Sequence, residues 1–329
     1  RIWTGFRRRH GTVGQLCWQQ SLGEDVDLVL SPAPIHRHHG GMIQDCYSRP
    51  ADLYARLCAA LGRSFNLRHY WGPLVSFQAT AWIAAATSEL LRSGEAPDLL
   101  LTYLPHLDYE LQRNGPDAPG VAAAFGQLES SLAELLAAAD AAGYETLLWG
   151  DYAITPATLP VFPNRALREA GWFAIREVRG RWYPDLHATP AFALADHQVA
   201  HVYLRNPADT PTVRNLLQGL AGVAQVLSAA EAGLGHSRAG ELVMIAAPAA
   251  WFAYPWWELP AQAPDYAGHV DIHNKPGFDP CELFFAGWPP FAISQNHHRI
   301  RGTHGLADGP EHAALWGATI PALRGPDHL

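Results

Sequence analysis

The sequence predicts an α/β fold built on a doubly wound, mostly parallel sheet with helices on both faces. Segments with strand character alternate with segments of helical periodicity along the 329 residues, a pattern typical of such sheets. Two apolar strands, 99–104 and 146–149, are each followed by an acidic residue, Asp108 and Asp151. Because ligands collect where the strands of an open α/β sheet end, we expect these two carboxylates to share one site.

The predicted elements follow from apolar runs and their spacing. Short apolar runs bounded by Gly and Pro predict strands, and apolar residues that recur every three or four positions predict helices with one apolar face. The elements are, in order, a strand at 26–30, helices at 51–61 and 81–91, a strand at 99–104, a helix that begins at Val121 and is ended by Gly143, a strand at 146–149 and a helix at 164–170. They continue with strands at 172–178, 191–195 and 199–204, helices at 210–220 and 228–232, and a strand at 241–246.

The stretch at 250–290 is rich in Trp and Pro and predicts irregular structure that caps a site. We therefore expect a single domain over 1–329, with a cap-like or irregular insert within 157–290. Two interpretations stay open for the tryptophans of this stretch, Trp251, Trp256 and Trp257. They could stack on a planar group of a substrate, or they could pack in the core.

The charge balance argues against two classes of partner. The sequence has 23 Lys and Arg against 31 Asp and Glu, a formal net charge of −8. This gives no basic footprint for a nucleic-acid polymer or for an anionic membrane surface, so we expect neither partner. No apolar run reaches about 20 residues, so no transmembrane helix is predicted. The sequence does not predict an oligomeric state.

The four cysteines form no Cys-x-x-Cys pair. Their spacing favours free thiols over a disulfide framework or a structural zinc knuckle, and free thiols are typical of a cytoplasmic location, which we expect here. The sequence opens at Arg1 without Met, so we expect that an N-terminal portion, with any targeting segment, precedes it.

Asp108 and Asp151 are the first candidate metal ligands. Carboxylates are hard oxygen donors, and Gln112, four residues after Asp108, can add a carbonyl oxygen. Each Asp also fits a structural role, Asp108 as a cap and Asp151 as a turn residue after Gly150. The repetition of the pattern after two strands favours the ligand interpretation.

Asp271, His273 and Lys275 form a second candidate cluster in a segment made irregular by Pro and Gly. In an extended backbone residues 271 and 273 point the same way, so both can bind one cation or phosphate. Lys275 can supply a positive charge to a phosphoryl oxygen. The alternative is a solvated loop with an ordinary salt bridge.

Two further segments carry histidines. His304 lies in Gly302-Thr303-His304-Gly305, where the glycines let the backbone approach a bound group, although a lone His in a loop is often structural. The segment from Asp196 to His201 contains three residues of metal-ligand type. Because strand character runs through that segment, we assign its polar groups a structural role.

Three of these motifs, in this order, resemble the type I phosphodiesterase/nucleotide pyrophosphatase branch of the alkaline phosphatase superfamily. That family has a strand-end Asp followed four residues later by His and then by Gly-Pro, next an Asp-His-Gly motif, and late in the chain a Gly-x-His-Gly motif. The resemblance runs from about residue 15 to 310. The corresponding segments are Asp108 with Gln112 and Gly115-Pro116, then Asp151-Tyr152-Ala153, and then Gly302-Thr303-His304-Gly305.

The resemblance implies an alkaline phosphatase-like fold and a phosphodiesterase or nucleotide pyrophosphatase that hydrolyses a small phosphate-ester or nucleotide-like substrate. It implies two divalent metal ions, usually zinc, and a Thr or Ser that attacks phosphorus. Asp108 and His304 would belong to one metal and Asp151 to the other. In the family the first metal-binding Asp and the nucleophile lie on an early strand and the following helix, so we expect them upstream of Arg1.

Two positions depart from the family pattern, because Gln112 and Tyr152 stand where the family has histidines. The loss of two imidazoles favours oxygen-preferring ions such as Mn²⁺ or Mg²⁺ over zinc. His273, with Asp271, is a candidate replacement ligand. Gln112, Tyr152 and Lys275 are expected to bind the phosphate of the substrate.

Two alternatives stay open at this stage. The departures and the missing nucleophile also fit a catalytically silent binding protein that retains the fold. A phosphomonoesterase would differ in the shape of its pocket.

Overall fold

The computed structural model describes residues 1–38, 41–287, 291–307, 309–321, 323 and 325. Two compact units make up this part of the chain. The first comprises residues 1–109 and 119–149 with the described residues of 316–325, and the second comprises residues 110–118 and 150–315. A single domain over 1–329, with a cap-like insert within 157–290, stays a prediction.

The described residues form the following regular elements. The α-helices are α1 (Thr4–Arg7), α2 (Leu53–Leu61), α3 (Phe77–Arg92), α4 (His106–Asn114), α5 (Val121–Ala141), α6 (Pro163–Glu169) and α7 (Thr210–Gln218). Strands of the first half are β1 (Val13–Leu16), β2 (Leu28–Pro32), β3 (Ile35–His36), β4 (Met42–Ile43), β5 (Cys46–Arg49), β6 (Leu99–Thr102), β7 (Leu147–Trp149), β8 (Thr155–Pro156) and β9 (Leu159–Val161). Strands of the second half are β10 (Ile175–Val178), β11 (Arg181–Pro184), β12 (Ala191–Asp196), β13 (Val199–Leu204), β14 (Val223–Ser228), β15 (Leu242–Ala246), β16 (Ala250–Phe252), β17 (Gly302–Thr303) and β18 (Trp316–Ala318).

The first unit contains a mostly parallel sheet with the strand order β5-β2-β1-β6. β1 runs parallel to both β2 and β6, and β5 joins the edge in the antiparallel direction. Every residue of β1 is buried, as expected for a strand of a covered parallel sheet. This arrangement confirms the predicted α/β fold class with a mostly parallel sheet.

Apolar side chains cover both faces of this sheet. Leu28 and Leu30 pack into a cluster with α2 and α3, whereas Val29 packs into a second cluster with Trp3 and Val13. Successive residues of a strand point to opposite faces, so one short strand supplies both clusters. Both faces of the sheet are therefore covered by apolar packing, and α2 and α3 provide the helices of one face.

The second unit contains an antiparallel sheet with the strand order β12-β13-β15-β14. Its strands confirm the predictions at 191–195, 199–204 and 241–246. The tryptophans at 251, 256 and 257 are all buried, so core packing is the interpretation that the structure supports. No helix among the described residues combines the length and the apolar character needed to cross a bilayer.

Three local predictions are wrong. β7 pairs antiparallel with β18 and is not a strand of the parallel sheet. Asp108 lies in the first turn of helix α4, an element absent from the predicted ones. The helix predicted at 228–232 is the end of β14 followed by a turn, because the Glu231 carboxylate accepts a hydrogen bond of 2.6 Å from the backbone N–H of Ser228.

We expect Leu30→Ala to lower the free energy of unfolding by about 2–5 kcal/mol, because it leaves a cavity in a site with no solvent exposure. Leu22→Ala is the matched control, since Leu22 is 51% exposed and should change the value by less than about 0.5 kcal/mol. Urea unfolding followed by tryptophan fluorescence measures both. Equal losses in the two variants would contradict the assigned core.

Candidate active site

A two-residue strand and two close backbone contacts position His304. β17 pairs antiparallel with β8, so the chain before His304 runs beside the chain that follows Asp151. The Gly302 backbone lies so near helix α4 that a Cβ on Gly302 would sit 2.1 Å from the carbonyl oxygen of Leu111. The Arg301 N–H donates to the carbonyl oxygen of Gln112 at 3.0 Å. Only glycine fits at position 302 without displacing this segment.

The imidazole of His304 packs against two other rings. Its centroid lies 3.6 Å from that of Tyr152, with an interplanar angle of 4°, and 3.7 Å from that of His197, with an angle of 32°. Phe278 stacks on His197 in turn, at 4.4 Å. We call these four residues the ring cluster. It brings the Gly-x-His-Gly motif next to the Asp151-Tyr152 motif.

His197 lies between two oxygen atoms. Its Nδ1 lies 2.7 Å from Oδ1 of Asp196, and its Nε2 lies 3.4 Å from Oε1 of Gln112. The residue occupies the turn between β12 and β13 with a positive φ of 52°, which aims its ring into the unit. The side chain of His197 is only 4% exposed, whereas that of Asp196 is 70% exposed.

Sequence reasoning missed His197 as a candidate functional residue. The strand character of its surroundings is real, because β12 and β13 flank it. The signal that could have singled it out is an adjacent Asp-His pair in the tight turn between two strands.

Burial changes the acid–base properties of His304. Loss of hydration disfavours the charged imidazolium, and the neighbouring His197 adds to this effect, so the pKa of His304 falls to about 2. At neutral pH the imidazole of His304 is therefore uncharged and keeps a lone pair that can bind a cation.

The two predicted aspartate ligands belong to different units. Asp108 lies in the first unit, where its Oδ2 accepts a hydrogen bond of 3.0 Å from the hydroxyl of Tyr103. Asp151 lies in the second unit, in an exposed bend next to Tyr152. A common pocket for Asp108, Asp151 and His304 stays a prediction.

Asp271 and His273 lie in a local turn. The Asp271 carboxylate accepts hydrogen bonds from the backbone N–H of His273 at 2.9 Å and of Asn274 at 3.0 Å. Burial of Asp271 opposes ionisation, but these bonds and the side chain of Asn274 outweigh it and hold the pKa of Asp271 below its usual value. His273 itself is exposed. The role of both residues as metal ligands stays a prediction.

Lys275, the only lysine in the sequence, lies in a buried ion triad with Asp279 and Glu282. Its Nζ donates to Asp279 at 2.8 Å and to Glu282 at 2.6 Å, and the three side chains are between 1% and 4% exposed. Burial alone would lower the pKa of Lys275, but the two carboxylates outweigh it and raise the pKa. Contact of Lys275 with a substrate phosphate stays a prediction.

Among the residues that the structure describes, one group brings three His, Cys, Asp or Glu donor atoms within 4.8 Å of one another. Its members are Asp279, Cys281 and His297. None of the predicted metal ligands is in this group.

The fold, together with the order of these motifs, is that of an alkaline phosphatase-like α/β protein. The family described as type I phosphodiesterase / nucleotide pyrophosphatase matches residues 2–279, and the chain belongs to this family. The resemblance deduced from the motifs is thereby confirmed, and with it the prediction that the chain belongs to a family of phosphoester hydrolases. The matched range includes the motifs at Asp108 and Asp151 and ends before His304.

Solved structures similar to this chain include phosphonoacetate hydrolase from Sinorhizobium meliloti 1021. In complex with phosphonoformate it gives a TM-score of 0.51 at 15% identity, over 98% of this chain and 69% of that one. In complex with phosphonoacetate it gives 0.48 at 16% identity, over 84% of this chain, and the match spans only 63% of the length of that relative. Murine ectonucleotide pyrophosphatase / phosphodiesterase 5 in complex with AMP gives 0.43 at 15% identity, over 76% of this chain and 55% of that one. No curated protein sequence matches the chain.

We expect Gly302→Ala to lower the free energy of unfolding by about 1–3 kcal/mol, because its Cβ would collide with the backbone of helix α4. Gly126→Ala is the matched control. Gly126 lies inside helix α5 with open space around it, so alanine there should raise stability by about 0.5–1 kcal/mol. Chemical unfolding measures both, and a neutral or stabilising Gly302→Ala would refute the close approach.

We expect Lys275→Met to destabilise the protein by about 3–5 kcal/mol at pH 7, because it leaves two buried carboxylates without their cation. Burial already raises the pKa of the Glu282 carboxyl above its usual value, and loss of the ammonium, which opposes this effect, raises it further. Protonation then relieves the loss as the pH falls from 7 toward the ordinary carboxyl pKa of about 4.

Urea unfolding of wild type and Lys275→Met across this pH range measures the effect. Arg176→Met, which removes an exposed cation of the same unit, is the control and should change stability by less than about 0.5 kcal/mol. A loss in Lys275→Met that stays constant with pH would argue against unpaired carboxylates as its cause.

Proposed function

We propose that the chain is a metal-dependent hydrolase of phosphoric esters, of the phosphodiesterase or nucleotide pyrophosphatase type, with a small phosphate-ester or nucleotide-like substrate. Family membership and the order of three motifs support this proposal. The observation that carries it is the stacking of His304 on Tyr152 at 3.6 Å. Two motifs far apart in the sequence thereby contribute to one cluster.

The side chains around His304 fit a divalent cation. The Nε2 of His197 and the Oε1 of Gln112 lie 3.4 Å apart, which is long for a hydrogen bond between them. Two ligand atoms that each lie about 2.1 Å from a tetrahedral zinc ion are about 3.4 Å apart. The imidazole of His304 lies beside His197, at a centroid distance of 3.7 Å, so two imidazoles and one amide oxygen are available nearby, and imidazole is a ligand that suits zinc.

His197 takes the place of a missing family histidine in this proposal. The Asp196 carboxylate lies 2.7 Å from Nδ1 of His197, which favours the tautomer with the proton on Nδ1 and the lone pair on Nε2. A carboxylate behind a histidine ligand orients the ring and raises its basicity. His197 is therefore a better candidate for the replacement ligand than the exposed His273.

Asp108 and Asp151 are the proposed carboxylate ligands that would complete a site for two divalent ions. When bound, such ions polarise the phosphoryl oxygens and stabilise the charge that develops on them. The amide nitrogen of Gln112 and the hydroxyl of Tyr152 would then position the phosphate, and the imidazoles of His197 and His304 would bind the cation. Zinc, manganese and magnesium are the ions to compare.

The test is hydrolysis of a chromogenic phosphodiester and of the corresponding monoester, with Zn²⁺, Mn²⁺ or Mg²⁺, by the protein expressed from its full coding sequence. We expect metal-dependent turnover of the diester. His304→Ala and His197→Ala should each lower kcat/KM by about 100-fold or more, and Asp196→Asn by about 10–100-fold. His187→Ala, which removes an exposed histidine of the same unit, should leave kcat/KM unchanged.

Metal content measured on the same preparations separates the outcomes. Absence of bound metal together with absence of turnover would favour a silent binding protein with this fold. Faster turnover of the monoester than of the diester would favour a phosphomonoesterase. Full activity in His197→Ala would refute its assignment as a ligand.

A further inference from the structure

Asp279, Cys281 and His297 form a second group of metal-ligand side chains, and it shares no residue with the ring cluster. Their donor atoms all lie within 4.8 Å of one another. The residues come from two short 3₁₀ turns, because Asp279 caps the turn Pro280–Leu283 and His297 begins the turn His297–Arg299. We propose that a zinc-class divalent ion binds these three side chains and holds the two turns together.

The chemistry of the donors selects the class of ion. A thiolate, an imidazole and a carboxylate are all established zinc ligands, and the sulfur disfavours magnesium and calcium. Three protein ligands leave one position of a tetrahedral ion for water. His297 is only partly buried, which leaves solvent a route to that position, whereas Cys281 is 1% exposed.

The surroundings hold each ligand in place before any ion binds. Oδ1 of Asp279 accepts a hydrogen bond of 3.1 Å from the backbone N–H of Cys281, and Oδ2 accepts the Lys275 ammonium at 2.8 Å. The rings of Phe162 and Trp251 pack beside His297, with centroids 5.2 Å and 6.0 Å away. Such fixed surroundings are typical of bound-ion sites, in which neighbouring groups orient the ligands.

The balance of buried charge also favours a cation at this position. The ion triad places two carboxylates against one ammonium, which leaves one negative charge in excess where exposure is 4% or less. When an ion binds, the Cys281 thiol gives its proton to solvent and becomes a thiolate. The divalent cation then lies beside the Asp279 carboxylate and the Cys281 thiolate, which is far less costly than burying these anions without a cation.

Cobalt substitution tests this proposal independently of hydrolysis. Metal is removed from the folded protein with a chelator, its fold is checked by circular dichroism, and Co²⁺ is added. We expect a thiolate-to-cobalt charge-transfer band that Cys281→Ser abolishes and that Cys58→Ser, a control at another free thiol, retains. His304→Ala should also retain the band, because the ring cluster offers no thiolate.

Zinc content provides the second measurement. We expect Cys281→Ser and His297→Ala each to lower bound zinc by one ion per chain relative to wild type, and His304→Ala to leave this thiolate-linked ion in place. If Cys281→Ser does not fold, His297→Ala decides, since its side chain is partly exposed. A folded wild type without the band, or a band that survives in His297→Ala with unchanged zinc content, would overturn the proposal.

The two proposals can fail separately. Loss of hydrolysis with the charge-transfer band intact would remove the proposed function and leave the zinc site. Hydrolysis without the charge-transfer band would remove the zinc site and leave the proposed function.

Discussion

The close approach of two backbones, made possible by glycine, is the constraint on which the candidate active site depends. Gly302 has no room for a Cβ against the carbonyl oxygen of Leu111, and Gly115, at a φ of 89°, packs at the end of helix α4 against the carbonyl of Arg301. The segments that carry the first motif and the last motif thus lie against each other, with one glycine contact from each segment. Both positions require glycine because the backbones pack so closely. This close packing fixes the position of His304.

The ring cluster shows why His197 belongs with residues from other parts of the chain. Its backbone is fixed in the turn between β12 and β13, and Phe278 covers one side of its ring. Phe278 in turn donates its N–H to Ala195 at 2.8 Å, and Gly277 permits this approach at a φ of 122°. Hydrogen bonding to β12 therefore fixes the irregular segment that contains Gly277 and Phe278. The turn that follows β12 carries the imidazole of His197.

Much of the fold could be predicted from the sequence, because apolar runs and helical spacing are local signals. The strand at 199–204 and the helix between Val121 and Gly143 show this, since the structure has them at Val199–Leu204 and Val121–Ala141. β1 was missed because Gly14 and Gln15 interrupt its apolar run, and the structure makes it the centre of the parallel sheet. The partner of β7 could not be predicted, since it is a strand near residue 317 and pairing between distant segments leaves no local signal.

The candidate active site could be predicted only in part for the same reason, because contacts between distant segments leave no local signal. The spacing of Asp108 and Gln112, one helical turn apart, is visible in the sequence, but the neighbour of Gln112 is not. Counting only the motif positions, the chain has lost two imidazoles to Gln112 and Tyr152, which favours oxygen-preferring ions. His197, which lies outside the motifs, has its Nε2 3.4 Å from Oε1 of Gln112. If His197 and His304 bind one ion together, that ion has the nitrogen donors zinc prefers, and the departures from the family pattern exchange one ligand for another without removing the metal chemistry.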